Sequence, residues 1–296
     1  REEEFISSRT RHPERMRVRL GAKKDGKITS LGLDCISNTG AYGSHALTVV
    51  CNSGSKMLPL YPADNIHFTG TAVYSNLPVG GAYRGYGATQ SAFAMECLID
   101  ELAEKLGMDP LEFRSKSHIR SGMTSPVFAA LGEGKAGVEM AIGSCELDKC
   151  IKLGAKAIGW KKRGSPADKK GRVRRGIGMC CLMQGSSIPE IDMGAATIKM
   201  NEDGSFNLLI GATDLGTGSD TVMAQIAAET LGTDVEKIIV YSSDTDVTPF
   251  DVGAYASSTT YLSGQAVLDA ATKVRKQILG VAAEMEKEGK SVEVID

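Results

Sequence analysis

Two stretches of the chain alternate apolar and polar residues with a period of two, and each is broken once by an Asp-Gly pair. In the first, residues 16–22 and 28–37 flank a turn at Asp25 and Gly26; in the second, residues 195–200 and 206–210 flank Asp203 and Gly204. Alternation around Asp-Gly predicts a β-hairpin in each half. Residues 66–74, 176–183 and 236–242 read as further strands. A helical period begins near Ala88 and runs to 106, with Ala92, Met95, Cys97, Leu98, Leu102 and Leu106 mostly on one face and Gly107 as its stop. Its acids Glu96, Asp100, Glu101 and Glu104 fall to the wet or partner-facing side. Asp109-Pro110 opens a second helix through about 116. Others are predicted from Ser144 to 160, from a cap at Ser219 or Asp220 to 231, and over 264–287. Residues 47–60 are ambiguous, with a short helix as one reading. The sum is an α+β fold of two related lobes of hairpins, sheet and packed helices: 1–120, a crossover over 121–172, and 173–296.

Composition narrows the partners. An apolar fraction of 42% with 24% charged residues is that of a soluble globular protein, and the net charge of -2 argues against duplex nucleic acid or an anionic membrane. No apolar run reaches the length of a membrane span, and the opening R-E-E-E-F is unlike a signal peptide, so the expected compartment is the cytoplasm. Seven cysteines without a C-x-x-C pair and four scattered histidines point to reduced thiols and away from a protein-ligated zinc or iron–sulfur site. The lone His45 is expected to satisfy local hydrogen bonds. The basic run 161–175 reads as a solvated crossover rather than a nucleic-acid site. The opening without methionine and the closing S-V-E-V-I-D are the pattern expected of a piece of a longer polypeptide, its fold truncated at both ends.

The strongest local signal is residues 78–87, P-V-G-G-A-Y-R-G-Y-G, running straight into the helix at Ala88. Four glycines bring backbone amides close to whatever the loop faces, and a helix start adds free N–H groups and a positive dipole end. An anion or other electron-rich ligand fits that environment; so does a tight turn with two packed tyrosines and no ligand. A second glycine loop, A-T-D-L-G-T-G-S-D over 212–220, follows the second hairpin, so two lobes could face one elongated ligand. The hydroxyl-rich 242–266 is long for a connection, which points to function, its serines and threonines suiting phosphate or pterin edges. The spacing of G-A-Y-R-G-Y-G and its context differ from the Rossmann fingerprint.

Taken together, R-T-R-H-P (9–13), N-T-G-A-Y (38–42), N-L-P-V-G-G-A-Y-R-G-Y-G-A-T-Q (76–90), L-G-M-D-P-L-E-F-R (106–114), D-L-G-T-G (214–218) and S-G-Q-A (263–266) resemble the central part of the molybdenum-binding large subunit of the xanthine dehydrogenase/aldehyde oxidase family. The second-half loops are closer in spelling to anaerobic bacterial members, including 4-hydroxybenzoyl-CoA reductase-like subunits. The resemblance implies a molybdopterin-binding fold and hydroxylation of a carbon beside nitrogen or oxygen, with water as the oxygen source. It implies a molybdopterin, in the cytosine dinucleotide form common in bacteria, and FAD and [2Fe-2S] centres on partner subunits or domains. Residue by residue, it sets the backbone of Arg84 and Gly85 beside the molybdenum centre and Tyr86 on the wall that stacks on substrate. Ala256 falls close to the metal, with Ser257 as a pterin contact. Gly216, Thr217 and Gly218 form the pterin loop, and Gln265 comes with S-G-Q-A. Thr217 replaces the family's glutamine and is shorter, without its amide. Asn52 and Ser186 stand where purine-oxidising relatives carry a substrate-binding arginine and a second stacking phenylalanine, which weakens a purine assignment and leaves N-heterocycles, thioesters and aldehydes open. The family's catalytic glutamate is expected beyond Asp296; neither Glu190 nor Glu229 replaces it, so the chain alone is expected to be inactive. The rival reading is a non-catalytic binding or scaffold protein that kept the fold.

Overall fold

The computed structural model describes residues 2–132, 135–164, 172–188 and 191–291, and divides into two compact units, Arg1–Gln184 and Gly185–Asp296. Part of the basic run and Glu190 lie outside the described residues.

In the first unit a short helix α1 (Glu2–Ser7) precedes the hairpin β1 (Glu14–Ala22) and β2 (Ile28–Gly40). The chain crosses through α2 (Ala46–Met57) to β3 (Asn65–Tyr74), giving a sheet of order β1-β2-β3. β1 and β2 pair antiparallel, with Leu33 opposite Val18, whereas β2 and β3 pair parallel, with Leu33 opposite Phe68. The period of two is visible in β1, where Met16, Val18 and Leu20 are half-buried and Arg15, Arg17 and Arg19 exposed. Next come α3 (Ala88–Lys105), α4 (Pro110–Ser117), α5 (Pro126–Ala130) and α6 (Leu147–Ala157). Asp109 caps α4 by accepting the Leu111 amide at 2.8 Å, with Pro110 in the first turn. Leu31, Leu33, Met57, Ile99 and Phe113 form the centre of the core, each buried side chain contributing about 1.5–3 kcal/mol. Val127, Ile151, Trp160 and Cys181 join that core from the later segments.

Three expectations change here. α2 is a full helix although its T-V-V-C-N-S-G-S core has weak helix propensity; packing decides, and a Cβ at Gly54 would stand 2.8 Å from the Phe68 ring. On α3 the buried stripe is Ala88, Ala92, Met95, Glu96, Ile99 and Ala103, so Cys97 faces out and Glu96 faces in. Glu96 is buried because Arg114 Nε donates to it at 2.7 Å and the Tyr61 hydroxyl at 2.5 Å. Residues 176–183 form no strand: the Cys181 amide donates to Glu96 Oε2 at 2.8 Å instead of to a sheet.

The second unit repeats the order. A hairpin, β4 (Ala196–Met200) and β5 (Phe206–Ile210), leads through α7 (Ser219–Leu231) to β6 (Ile238–Ser242), which pairs parallel to β5, and α8 (Gly264–Lys287) follows. Leu208, Ile210, Met223, Ala227 and Val267 make its core, the alanines letting α7 lie close to the sheet. Even the hairpin turns match. Lys23 N donates to Lys27 O and Gly26 N to Lys23 O, both at 2.9 Å; Asn201 N donates to Ser205 O at 2.8 Å and Gly204 N to Asn201 O at 3.1 Å. Asp25 and Asp203 each accept the amide two residues on, and Gly26 and Gly204 take positive φ. Among the described residues no helix is long and apolar enough to cross a membrane.

Candidate functional site

In the first unit the loop after β3 ends in three consecutive left-handed residues, Gly85 (φ 94°), Tyr86 (φ 47°) and Gly87 (φ 94°). The tyrosine is strained there, and its surroundings compensate. Asn52 Nδ2 donates to the Tyr86 carbonyl at 2.8 Å, and the Tyr86 hydroxyl lies 2.6 Å from both His45 Nδ1 and Thr48 Oγ1. His45 meets the Tyr86 ring edge-on and its Nε2 approaches Arg9 Nη1 at 3.3 Å. Burial and then Arg9 lower the pKa of His45, favouring the neutral ring.

Close backbone approach fixes the rest of the loop. A Cβ on Gly87 would stand 2.3 Å from the Val49 carbonyl oxygen, one on Gly80 2.8 Å from the His12 ring, and one on Gly81 2.5 Å from Arg9. Gly80 N donates to Thr39 O and Gly81 N to Thr10 O, each at 3.0 Å. Arg11 ties the loop to the start of α3: it donates to the Arg84 carbonyl and to Thr89 Oγ1, and stacks 4.7 Å over the Tyr83 ring. His12 is 1% exposed, with neither ring nitrogen hydrogen-bonded; burial and then His45 lower its pKa.

The second unit holds two loops. In 212–218 the Asp214 carboxylate accepts from Gly216 N at 2.7 Å, Thr217 N at 2.8 Å and Gly218 N at 3.1 Å. Partial burial opposes ionisation, but the amides of 218, 216, 217 and 220 hold its carboxyl below the usual range. This carboxylate takes the place of the expected Ser219 or Asp220 cap: Gly218 (φ 78°) is the N-cap of α7 without a side-chain bond, and Ser219 Oγ is buried unpartnered. In the loop after β6, Ala256 (φ 46°) and Ser257 (φ 56°) are both left-handed, and a π-helical turn, Thr259–Ser263, leads into α8. The Ala256 carbonyl accepts Ser187 N at 2.9 Å, and Asp251 accepts Gly253 N at 2.8 Å and Ser263 Oγ at 2.7 Å.

Two family profiles, both described as molybdopterin cofactor-binding domain, match residues 1–118 and 153–296. The chain is 43% identical over 286 residues to Probable hypoxanthine oxidase XdhD of Escherichia coli K12, covering 96% of this chain and 30% of that protein. To the xanthine dehydrogenase molybdenum-binding subunit of Escherichia coli O157:H7 it is 39% identical over 289 residues, 96% of this chain and 37% of that one. The solved aldehyde oxidoreductase from Desulfovibrio gigas superimposes with a TM-score of 0.71 at 30% identity, covering 89% of this chain and 28% of that one. The chain belongs to the xanthine dehydrogenase/aldehyde oxidase family. It spans about a third of the length of these curated relatives, and its mixed sheets with packed helices are the fold of the family's molybdenum-cofactor-binding domains.

Within that family fold the residues singled out in the sequence fall as follows. Arg84, Gly85 and Tyr86 share the left-handed turn of the first unit, with the Arg84 side chain exposed and its carbonyl held by Arg11. Asn52 is 2% exposed and bonded to the Tyr86 backbone, with Ser55 Oγ donating to its Oδ1 at 3.2 Å. In the second unit Ser186 is exposed and adjoins Ser187, which is bonded to Ala256; Ser257 is exposed in the same turn. Gly216, Thr217 and Gly218 cluster on Asp214, and Gln265 is an exposed α8 residue whose amide donates to Asp269 at 2.8 Å. Sequence reasoning missed Arg11 and Asp214 as braces, although both lie inside motifs it singled out. It had no signal for Ser53 and Glu14, whose part depends on contacts 34 to 39 residues apart in the chain.

Proposed function

We propose that this chain supplies the molybdopterin cradle of a molybdenum hydroxylase that oxidises an N-heterocycle or an aldehyde. Supporting the reading is one observation: Tyr86, Ala256 and Ser257, three residues the family resemblance assigns to cofactor or substrate, are all non-glycine residues in the left-handed region. Such strain is characteristic of ligand-facing turns. The residues fit a pterin. Gly216 and Gly218 at positive φ meet nothing within 4 Å of an added Cβ, so a flat ligand has room to approach their backbone. Because the amides of 216–218 already bind Asp214, that loop would offer the pterin edge the acceptor side of the Thr217 hydroxyl, whose proton is also directed at Asp214 at 3.5 Å, rather than an anion nest. The pyrophosphate of a cytosine dinucleotide would go instead to the start of α3, where Arg11 stands with Thr89 and Gln90. The bound group supplies the two-electron chemistry that inserts an oxygen from water.

This chain's own residues then bind and orient. In the first unit the Arg84 backbone would lie beside the metal and Tyr86 would stack on substrate, with Asn52 fixing its backbone and His45 and Thr48 its hydroxyl; in the second, the resemblance gives the Ala256 backbone a place close to the metal and Ser186 the position of the family's second stacking residue. The two lobes expected over 1–120 and 173–296 would correspond to the two compact units, with Val127, Ile151 and Trp160 of the crossover 121–172, and Cys181 beyond it, belonging to the first core. The resemblance implies that electrons would leave through [2Fe-2S] and FAD centres on partners, and that a glutamate would serve as general base. Similarity to proteins named as hypoxanthine oxidase and xanthine dehydrogenase ranks N-heterocycles above aldehydes.

The test is molybdenum by elemental analysis on the full-length subunit, with the nucleotide released by mild acid, followed by oxidation assays with hypoxanthine and with an aromatic aldehyde. About one molybdenum and one cytidine monophosphate per chain is the expected result. Neither, from folded protein made in a host that builds the cofactor, would favour the scaffold reading; cofactor with reduction of a hydroxybenzoyl thioester instead of either oxidation would favour a 4-hydroxybenzoyl-CoA reductase-like subunit.

A further inference from the structure

Beneath the Gly85–Gly87 turn one hydroxyl serves too many oxygens. Ser53 Oγ lies 3.1 Å from the Gly87 carbonyl, 3.2 Å from the Val49 carbonyl, and 3.1 and 3.3 Å from the two carboxyl oxygens of Glu14. A hydroxyl carries one proton. If Glu14 is ionised, that proton goes to the carboxylate and the bond to Gly87 is unmade. The other donors to the Gly87 carbonyl, Ser91 N and Ser91 Oγ, stand farther off at 3.3 Å.

From this geometry we infer that Glu14 is a positioning residue: as a neutral carboxylic acid it donates to Ser53 Oγ, Ser53 donates to the Gly87 carbonyl, and this two-step link holds the turn that carries Arg84 and Tyr86. The groups that face Glu14 are three neutral donors and one cation, all of which pull toward ionisation and are outweighed by burial. From β2, the Cys35 thiol is pushed up to about 12 by burial and by Glu14, so it stays S–H and faces Glu14 as a donor. Ser37, paired with Glu14 across the hairpin, has a buried hydroxyl that meets no group but Glu14. From the segment before β1, Arg11 is the cation that acts on Glu14, and its guanidinium is engaged by Arg84 O, Thr89 and Gln90. Burial pushes Glu14 up to about 7 against the pull of Ser53, Ser37, Cys35 and Arg11. The native state thus keeps a proton that the unfolded chain releases above its ordinary 4.5. The stabilisation is complete below 4.5 and is lost as pH rises through about 7.

The consequence for cofactor rests on the proposed function; the link itself does not. The experiment compares wild type, Glu14→Gln and Glu14→Ala in the full-length subunit with its partners, reading amide hydrogen exchange of the peptide spanning 83–91 from pH 4.5 to above 7, corrected for intrinsic rates, with molybdenum content on the same samples. In wild type, protection should fall about fivefold across the range, the worth of one hydrogen bond. E14Q, a permanent donor of similar shape, should hold the acid-side protection at every pH, and E14A should lack it throughout. A wild-type profile without a step, or E14Q behaving as E14A, overturns the inference. The expected profile in a subunit without molybdenum would sink the cofactor reading and leave Glu14 standing; a flat profile in a molybdenum-loaded subunit would do the reverse.

Discussion

The two units run through the same elements, strand, strand, helix, strand, long loop and helix, and share a hairpin turn down to its three hydrogen bonds. They differ in how the loops that the family resemblance assigns to a ligand are held. In the first unit the turn at Gly85–Gly87 is gripped from outside itself, by Asn52, Ser53, His45 and Arg11, side chains 34 to 73 residues away in the chain. In the second, the 214–218 stretch grips itself, Asp214 reaching two to four residues on, whereas the loop of Ala256 adds to its own Asp251 a bond from the distant Ser187 amide. A turn held by distant groups is as rigid as the core behind it. One held by its own aspartates is independent of that core and answers to their charge.

Alanine at the two helix-opening glycines separates these cases most widely. Gly87→Ala combines a positive φ with a Cβ 2.3 Å from backbone oxygen, and should cost at least about 3 kcal/mol in chemical unfolding. Gly218→Ala has the same sign of φ but open space around it, and should cost only about 1 kcal/mol. Equal costs would erase the distinction between the units.

Smaller effects sharpen the account of the first turn. Asn52→Leu leaves the Tyr86 carbonyl without its donor in a buried setting and should destabilise by about 2 kcal/mol. If KM for substrate shifts while unfolding is unchanged, Asn52 faces substrate instead. Tyr86→Phe keeps the ring and removes the hydroxyl that meets His45 and Thr48, for about 1 kcal/mol in stability. In the holoenzyme it should raise KM more than it lowers kcat, because it loosens ring orientation without touching the reacting atoms.

The same contrast explains what the sequence could disclose. Both hairpins, the helices from Ala88 and Gly264 and the family's loops follow from local patterns: alternation, Asp-Gly turns, an Asp-Pro cap. Misreadings arose where distant partners decide. Glu96 looks like a solvated acid until Arg114, eighteen residues on, arrives beside it. Residues 176–183 look like a strand until the Cys181 amide finds that same carboxylate. Residues 47–60 read ambiguously, a short helix among the options, until packing holds 46–57 as a full one. The site divides likewise. Tyr86 and Ala256 could be singled out by resemblance, whereas Glu14 and Ser53 meet only after β1, α2 and the turn have folded together.

The smallest expected effect tests the self-held loop. Asp214 has its carboxyl lowered below the ordinary 3.8 by amide donors that outweigh partial burial, so its contribution is present above 3.8 and fades as pH falls through its folded value. Asp214→Ala should therefore speed hydrogen exchange at the amides of 216–218 near neutral pH, with a difference from wild type that shrinks toward acid. Asp214→Asn, which keeps one acceptor oxygen but no charge, should fall between them and show no acid dependence of its own. The exchange of 83–91 should not change in either variant, because that turn is braced from within the first unit. If removing Asp214 loosened it, the two loops would be coupled, and the independence drawn from their hydrogen bonds would fail.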